Sequence, residues 1–523
     1  MKFRLYKKEI KHIESMISRF HWKSVVCEGV SYLQDESCSD RYRLEKMPWI
    51  ALYIIKLAAL SKVDSRLTIS RSDFINILNE AYKLQDTAAD LSSGDFYLKT
   101  RAMAYQQAWY QVDYLTYISG LARQSHLFLS DNSFYATAFK KESGVALGSF
   151  FIIANFIIIS IMESRSRLSI PALIHAFYPT IHSDELCSFL RLTSVCIDDL
   201  PDFLESSRLL GYPESEYFQL SPFRDKPLLI MGDELIVIDK KLCAGGLSSF
   251  VPRYLRKTIK ERFKENFGVD MESYISKLLV DAKLRFSNEN EIKDLLRENN
   301  CFIKASKTAD FLVYGENPII LESKAIEPSD IVLSTADGST LKSNLRQSFL
   351  KAIEQGQETA VNLARITAYK NSVFRLIVVV HEDFWISNGD SVLESIDSEL
   401  EDFLFEKYDC IPISFNNIIY ISLGDLESII HAHKKGHIVF DVFLKECMDS
   451  LIDPSMRRLT SSHLISENLK SRFFRHEFVT DKHKSISQEL REIINKNAAF
   501  WDGKVYKFCC LCNNLLETIN KIR

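Results

Sequence analysis

Between Thr308 and Lys324 the chain reads TADFLVYGENPIILESK: two apolar, β-prone runs flank a Gly-Glu-Asn-Pro turn. Asp310 stands in the first run, and Glu322 and Lys324 close the second. Two carboxylates and an amine on adjacent strands suit metal-assisted phosphodiester hydrolysis. The carboxylates hold a hard cation through oxygen. Mg²⁺ or Mn²⁺ there polarises a phosphate and lowers the pKa of a bound water, and the lysine orients that water or offsets charge at phosphorus. The chemistry is that of a nuclease.

Spacing brings the three together. Glu322 and Lys324 are two apart and share one face of a strand. With Gly315-Glu316-Asn317 as the loop, Tyr314 opposes Pro318 and Asp310 opposes Glu322. Opposed residues share a face with Cβ atoms about 5 Å apart, close enough for one ion to bridge them. Pro318 then opens its strand, where a missing N–H is tolerated. A loop one residue longer or shorter puts Asp310 on the other face.

An acid-x-lysine triplet is common, and the chain also holds Glu9-Ile-Lys11, Glu291-Ile-Lys293 and Asp239-Lys240-Lys241. The first two lie in mixed-charge, helical stretches. Asp239 sits on an apolar run whose nearest upstream acids, Asp233 and Glu234, are turn residues. Only Glu322 and Lys324 interrupt a strongly apolar strand with a carboxylate on its partner, and such groups are rarely buried unless paired or metal-bound. A structural ion pair is the competing reading.

The positioning elements follow from periodicity. Phe267 to Leu279 is an amphipathic helix with Phe267, Met271, Tyr274 or Ile275, and Leu278 on one face and Glu272 beside it. A helix at 291–299 comes next, then strands at 301–305, 308–314 and 319–325. A long helical pattern from Leu341 to Tyr369 keeps Leu345, Phe349, Ile353, Ala360, Leu363 and Thr367 in phase. It leads into Phe374 to His381, a continuous apolar run typical of a buried strand.

Residues 255 to 385 resemble the restriction-endonuclease-like PD-(D/E)XK nuclease superfamily, whose core is helix, three strands, helix, strand. The resemblance implies Asp310 and Glu322 as metal ligands, Lys324 as the catalytic lysine, Glu272 as an auxiliary acid ligand and the Ser323 carbonyl as a further ligand. Many members place a glutamine on the following helix, and both Gln355 and Gln357 stand there. Gln355 fits the usual spacing after Ala352, whereas Gln357 lies nearer the apolar face. Ala309 stands where the family's name has proline.

At 523 residues the chain holds several domains, and a net charge of −4 gives no overall nucleic-acid signature. The expected fold is α/β (α+β): a restriction-endonuclease-like core at 251–430, a large, mainly α-helical N-terminal region at 1–225, and a helical, basic C-terminal region at 431–523. Ser70 or Ser72 is the N-cap of a helix beginning at Asp73. A hairpin around Gly232-Asp233 and a junction at Gly245-Gly246 occupy 226–250. Runs Ile411–Phe415 and Ile418–Ser422 are edge-strand candidates.

Arg253 to Lys264 holds six basic residues and one acid, so Arg253, Arg256, Lys257 and Lys260 are candidate phosphate contacts. Arg457-Arg458 and Lys470 to His476 form a second basic patch. Cysteines without regular spacing and no signal peptide argue for a reducing cytoplasm. Cys509-Cys-Leu-Cys512 lacks a second pair at zinc spacing, and His431-Ala-His433 reads as a solvated loop. Val145 to Met162 is about as apolar as a short membrane span and at the lower limit of length, but a helix buried in a large helical domain fits better, so no membrane is expected.

The reading is therefore a cytoplasmic metal-dependent endonuclease acting on DNA, with RNA as the alternative substrate. By resemblance it belongs to bacterial restriction or anti-phage defence, as a homo-oligomer or with a partner protein. The alternatives are a catalytically idle nuclease fold that binds nucleic acid or protein, and a membrane-tethered scaffold.

Overall fold

The computed structural model describes residues 2–35, 46–89, 94–129, 133–208, 213–304, 306–453, 458–470 and 475–520. The architecture is mixed α/β, with helices around two small mixed sheets. Two compact units divide the chain. The first takes Met1–Gly94, Ala102–Ile259 and Phe478–Arg523, and the second Asp95–Arg101 and Lys260–Glu477. The expected C-terminal region 431–523 is thus shared between them, and the segment to Glu477 belongs with the sheet that carries the site.

The first unit is mostly helical. Its helix Arg71–Ala89 starts at Ser70, whose Oγ accepts from the Asp73 N–H at 3.1 Å and donates to the Asp73 carboxylate at 2.7 Å. Helix Leu147–Met162 is buried along most of its length, as an all-round apolar helix must be when it lies inside a protein. Among the described residues no single helix is long and apolar enough to cross a membrane. Helices Phe134–Ser143 and Leu147–Met162 reach that length only together and bend by 75° at their break.

A four-stranded sheet in the same unit comprises β1 (Arg167–Ser169), β2 (Ser194–Cys196), β3 (Leu228–Met231) and β4 (Glu234–Val237), in the order β1-β4-β3-β2. β3 and β4 form the hairpin expected around Gly232-Asp233, with Gly232 at φ +65° supplying the left-handed turn. Asp239, expected on a strand, instead caps helix Lys240–Ser248 by accepting from the Leu242 N–H. That helix contains Gly245 and Gly246, expected as a junction. A Cβ on Gly246 would sit 2.3 Å from the Arg224 carbonyl oxygen, and one on Gly245 would meet the Trp109 ring at 2.6 Å. The two glycines serve close packing.

The second unit holds a five-stranded sheet: β5 (Phe286–Asn288), β6 (Phe311–Val313), β7 (Ile319–Lys324), β8 (Arg375–Val380) and β9 (Ile418–Ser422), ordered β5-β6-β7-β8-β9. The β5–β6 and β6–β7 pairs are antiparallel, and β7–β8 and β8–β9 are parallel. Helix α1 (Phe250–Asp281) breaks at Lys260, where φ is 46° and ψ −118°, and only its part from Lys260 on belongs to this unit. Helix α2 (Glu289–Glu298) follows β5, helix α3 (Lys351–Ala364) connects β7 to β8, and helix α4 (Leu423–Lys434) follows β9.

The outer antiparallel strand is β5, not the expected 301–305. Cys301 to Lys304 form no strand, and residue 305 lies outside the described residues. The Cys301 N–H closes the end of α2 on the Leu296 carbonyl, after Asn300 has turned at φ 57°. Ile411–Phe415 is not a strand either, because the Ile413 backbone is tied to a helix side chain described below. β9 is an edge strand as expected.

Leu312, Ile320, Leu376, Val378 and Tyr420 bury one face of the sheet against Phe349, Ile353 and Ala360. On the alternate positions Leu321, Ile377, Val379 and Ile419 are buried as well, as are Phe267, Met271 and Ile275 of α1. Strands covered on both faces read as continuous apolar runs. Each such side chain contributes roughly 1.5–3 kcal/mol on burial. A charge on such a strand is therefore costly and stays only with partners.

Candidate active site

β6 and β7 set the geometry. Their register pairs Phe311 with Leu321, Leu312 with Ile320 and Val313 with Ile319. Carried one pair outward, it places Asp310 across from Glu322, and Tyr314 across from Pro318 at the loop end. Glu322 and Lys324 lie two apart on β7 and share a face.

The contacts follow. Lys324 Nζ donates to Glu322 Oε1, and to Gln355 Oε1 at 3.2 Å. Asp310 Oδ2 accepts from the Ser323 N–H at 2.6 Å and the Ser323 Oγ at 2.8 Å. The N–H and C=O of one strand residue leave on the same edge, so the Ser323 carbonyl is also directed to the Asp310 side. Gln355 reaches the lysine because α3 lies close on β8: a Cβ on Gly356 would fall 2.7 Å from the Leu376 side chain.

The carboxylates disturb one another. Glu322 is 1% exposed, and burial followed by the Asp310 charge pushes its pKa up to about 8, against the pull of Lys324. Asp310 is raised by burial, opposed by its Ser323 hydrogen bonds and by Lys324. Burial, Asp310 and Glu289 push Glu272 up to about 7. Glu289, at the start of α2, was not anticipated; its position four residues before Lys293 suggests only an ordinary helical ion pair, which it also makes.

A hard divalent cation fits this donor set. Glu322 Oε2 is buried without a hydrogen-bond partner among the described residues, and Ser323 engages only one Asp310 oxygen. Repulsion among the acids is what a cation would relieve. Asp310, Glu322 and the Ser323 carbonyl would hold it, with Glu272 beside them. These carboxylates are not drawn into a finished cage: among the described residues the only three His, Cys, Asp or Glu ligand atoms within 4.8 Å of one another belong to Glu327, His381 and Glu382.

Gln357, expected alongside Gln355, does not join the site. It is fully buried, donates to the Ile413 carbonyl at 2.5 Å and accepts from the Ile413 N–H at 3.0 Å. Ala309 has a reason to differ from proline: its N–H donates to Thr359 Oγ1 at 2.9 Å, a bond proline cannot make.

The four basic residues divide. Arg253 is buried and donates to the carbonyls of Ser249, Gly246 and Arg224 while pairing with Asp225 at 2.9 Å. Lys257 pairs with the same carboxylate at 2.6 Å, and the two cations with Arg224 hold Asp225 well below the usual carboxylate range despite its burial. Arg253 is a structural cation, whereas Lys257 meets Asp225 from an exposed position. Arg256 and Lys260 are exposed and remain phosphate candidates.

Arg458 pairs with Glu467 and His476 is buried, while residues 457 and 471–474 of that second patch lie outside the described residues. His431 and His433 lie in α4 rather than a loop. Cys509, Cys510 and Cys512 are free thiols on helix Val505–Asn520.

Compared with known proteins, the chain matches no family model, no curated protein and no solved structure.

Proposed function

We propose that the second unit is a metal-dependent nuclease of the PD-(D/E)XK type, hydrolysing phosphodiester bonds of DNA in preference to RNA. The observation that carries this reading is the register of β6 and β7, which sets Asp310 opposite Glu322 with Lys324 on the same face. The element order from α1 through β5, β6, β7 and α3 to β8, with α2 inserted after β5, supports a restriction-endonuclease-like core.

Bound between Asp310 and Glu322, Mg²⁺ or Mn²⁺ would polarise the phosphate and acidify a water. The chain's own residues do the rest. Glu322 and Gln355 hold the Lys324 amine in place, where it hydrogen-bonds the attacking water and faces the charge that develops at phosphorus. Ser323 fixes the Asp310 carboxylate through two donors. Glu272 adds a half-buried acid whose raised pKa suits accepting a proton near neutral pH. The first unit would supply target recognition or oligomerisation, in a restriction or anti-phage setting.

A binding-only role for the same fold is favoured by one observation, the buried ion pair in which Glu322 neutralises Lys324. One experiment separates the two. Purified wild type and Lys324→Ala are incubated with linear, circular and single-stranded DNA and with RNA, in Mg²⁺ or Mn²⁺. Cleavage that vanishes in the variant supports the nuclease and names the substrate. Binding without turnover favours the idle fold, and equal cleavage by both proteins removes the Lys324 constellation from the chemistry.

A further inference from the structure

We propose that Glu327, His381 and Glu382 form a second cation site, of transition-metal type and best suited to Zn²⁺. Their ligand atoms lie within 4.8 Å of one another. Glu327 and His381 are both buried, and His381 Nδ1 shares a hydrogen bond with Glu327 Oε1. Bond lengths of about 2.0–2.2 Å to nitrogen and oxygen place tetrahedral ligands about 3.4 Å apart. Binding an ion therefore asks for shifts of roughly an ångström, with the His381–Glu327 hydrogen bond opening as the ion takes the place of its proton.

The location fits a ligand site. Lys324 of β7 pairs with Val380 of β8 as the last pair of their parallel register. Glu327 leaves just beyond the end of β7, and His381 and Glu382 just beyond the end of β8. The carboxyl ends of parallel strands are where open α/β sheets bind their ligands. The triad is also separate from the nuclease residues. Val380 shares a face with Lys324, so His381 turns to the other face, where the Phe267 ring of α1 meets it at 5.0 Å.

Donor chemistry selects the ion. One imidazole nitrogen with two carboxylate oxygens is a borderline set that suits Zn²⁺, Mn²⁺, Fe²⁺ or Co²⁺, whereas Mg²⁺ is served by oxygen alone. A buried His–carboxylate pair by itself accounts for Glu327 and His381. The Glu382 carboxylate reaches the same point and would supply the third ligand. Three protein ligands around Zn²⁺ leave one position for water or a substrate atom, and an ion there would tie the end of β7 to the end of β8.

The site stands independently of the nuclease reading, and its test reads metal rather than cleavage. Full-length protein is stripped with chelator, reloaded with Zn²⁺ or Co²⁺, dialysed, and assayed for bound metal, for the visible absorption of Co²⁺ and for melting temperature. Wild type and Asp310→Asn should each retain one equivalent, show tetrahedral Co²⁺ bands and melt higher when loaded. His381→Asn and Glu382→Gln should lose the equivalent, the bands and the metal-dependent shift. His381→Asn keeps a donor toward Glu327, and Glu382 is only half-buried, so at least one variant should fold. Wild type that retains no metal overturns the proposal, and so does retention in both variants. Loss in Asp310→Asn assigns the ion to the nuclease residues and overturns it as well.

Discussion

Asp310 stands across from Glu322, one pair beyond Phe311 and Leu321 in the antiparallel register of β6 and β7. That relationship brings two carboxylates to one face at the point where β7 ends, and Lys324 follows on the same face. Ser323, facing the other way, still reaches Asp310 through its backbone N–H and hydroxyl. The strand thus presents an acid and a cation on one face and positions the second acid through its edge.

Lys324 supplies the first prediction. Lys324→Met keeps the stem's apolar packing and removes the amine that meets Glu322 and Gln355. Cleavage in Mg²⁺ should fall by roughly 10²–10⁴, the usual scale for losing one positioned proton-handling group. Folding should persist, because Glu322 can take up a proton in place of its partner. Single-turnover cleavage and urea melts measure the two effects.

The two glutamines should separate by their effects. Gln355→Ala removes the 3.2 Å contact to Lys324 from a half-buried position, so activity should drop about tenfold with little change in stability. Gln357→Ala leaves the Ile413 N–H and C=O without their partners in a fully buried place. It should cost about 2–3 kcal/mol of stability while the folded fraction keeps its specific activity. Active-site titration beside denaturation curves distinguishes them, and the reverse pattern would place the wrong glutamine at the lysine.

The register of Asp310 and Glu322 was legible because a three-residue loop between two apolar runs permits only one pairing that keeps the charges together. β5 was not. Phe286-Ser-Asn288 has one apolar residue and owes its extended form to pairing with Val313, 27 residues away for its first member. Cys301 to Ala305 looked more strand-like on composition, yet the helix before it ends with the Cys301 N–H bound to the Leu296 carbonyl. Arg253 departs from its expected role for a related reason. A basic residue in a helix suggests solvent, whereas its fork ties three carbonyls and Asp225 together. The meeting of Glu327 with His381 spans 54 residues and has no local signature beyond a histidine closing an apolar run.

Ala309→Pro tests what the backbone N–H just before Asp310 contributes. The Ala309 N–H bond to Thr359 is buried, and proline would leave the Thr359 hydroxyl without its donor. The variant should lose about 1–3 kcal/mol of stability. The loss should shrink in a Thr359→Val background, where the acceptor is already gone. Urea denaturation of the four proteins closes the cycle, and an undiminished loss would assign the cost to the proline ring.

Protonation of the acids gives the last prediction. Glu322 is pushed up to about 8 and Glu272 to about 7, both above their ordinary values near 4.5. A carboxyl whose folded pKa is raised holds its proton more tightly in the native state. Its contribution is fully present below the unfolded pKa and is lost as pH rises through the folded pKa. Metal-free protein should therefore lose stability between about pH 4.5 and 8, by roughly a few kcal/mol for Glu322. Glu322→Gln should flatten much of that slope. Divalent metal must displace these protons, so Mg²⁺ or Mn²⁺ affinity should rise across pH 6 to about 8.5 and cleavage should rise with it. Melting curves against pH, with and without Mn²⁺, read both effects. A stability profile that rises with pH over this window in wild type, or one unchanged by Glu322→Gln, would mean that Glu322 is ionised and settled without a cation.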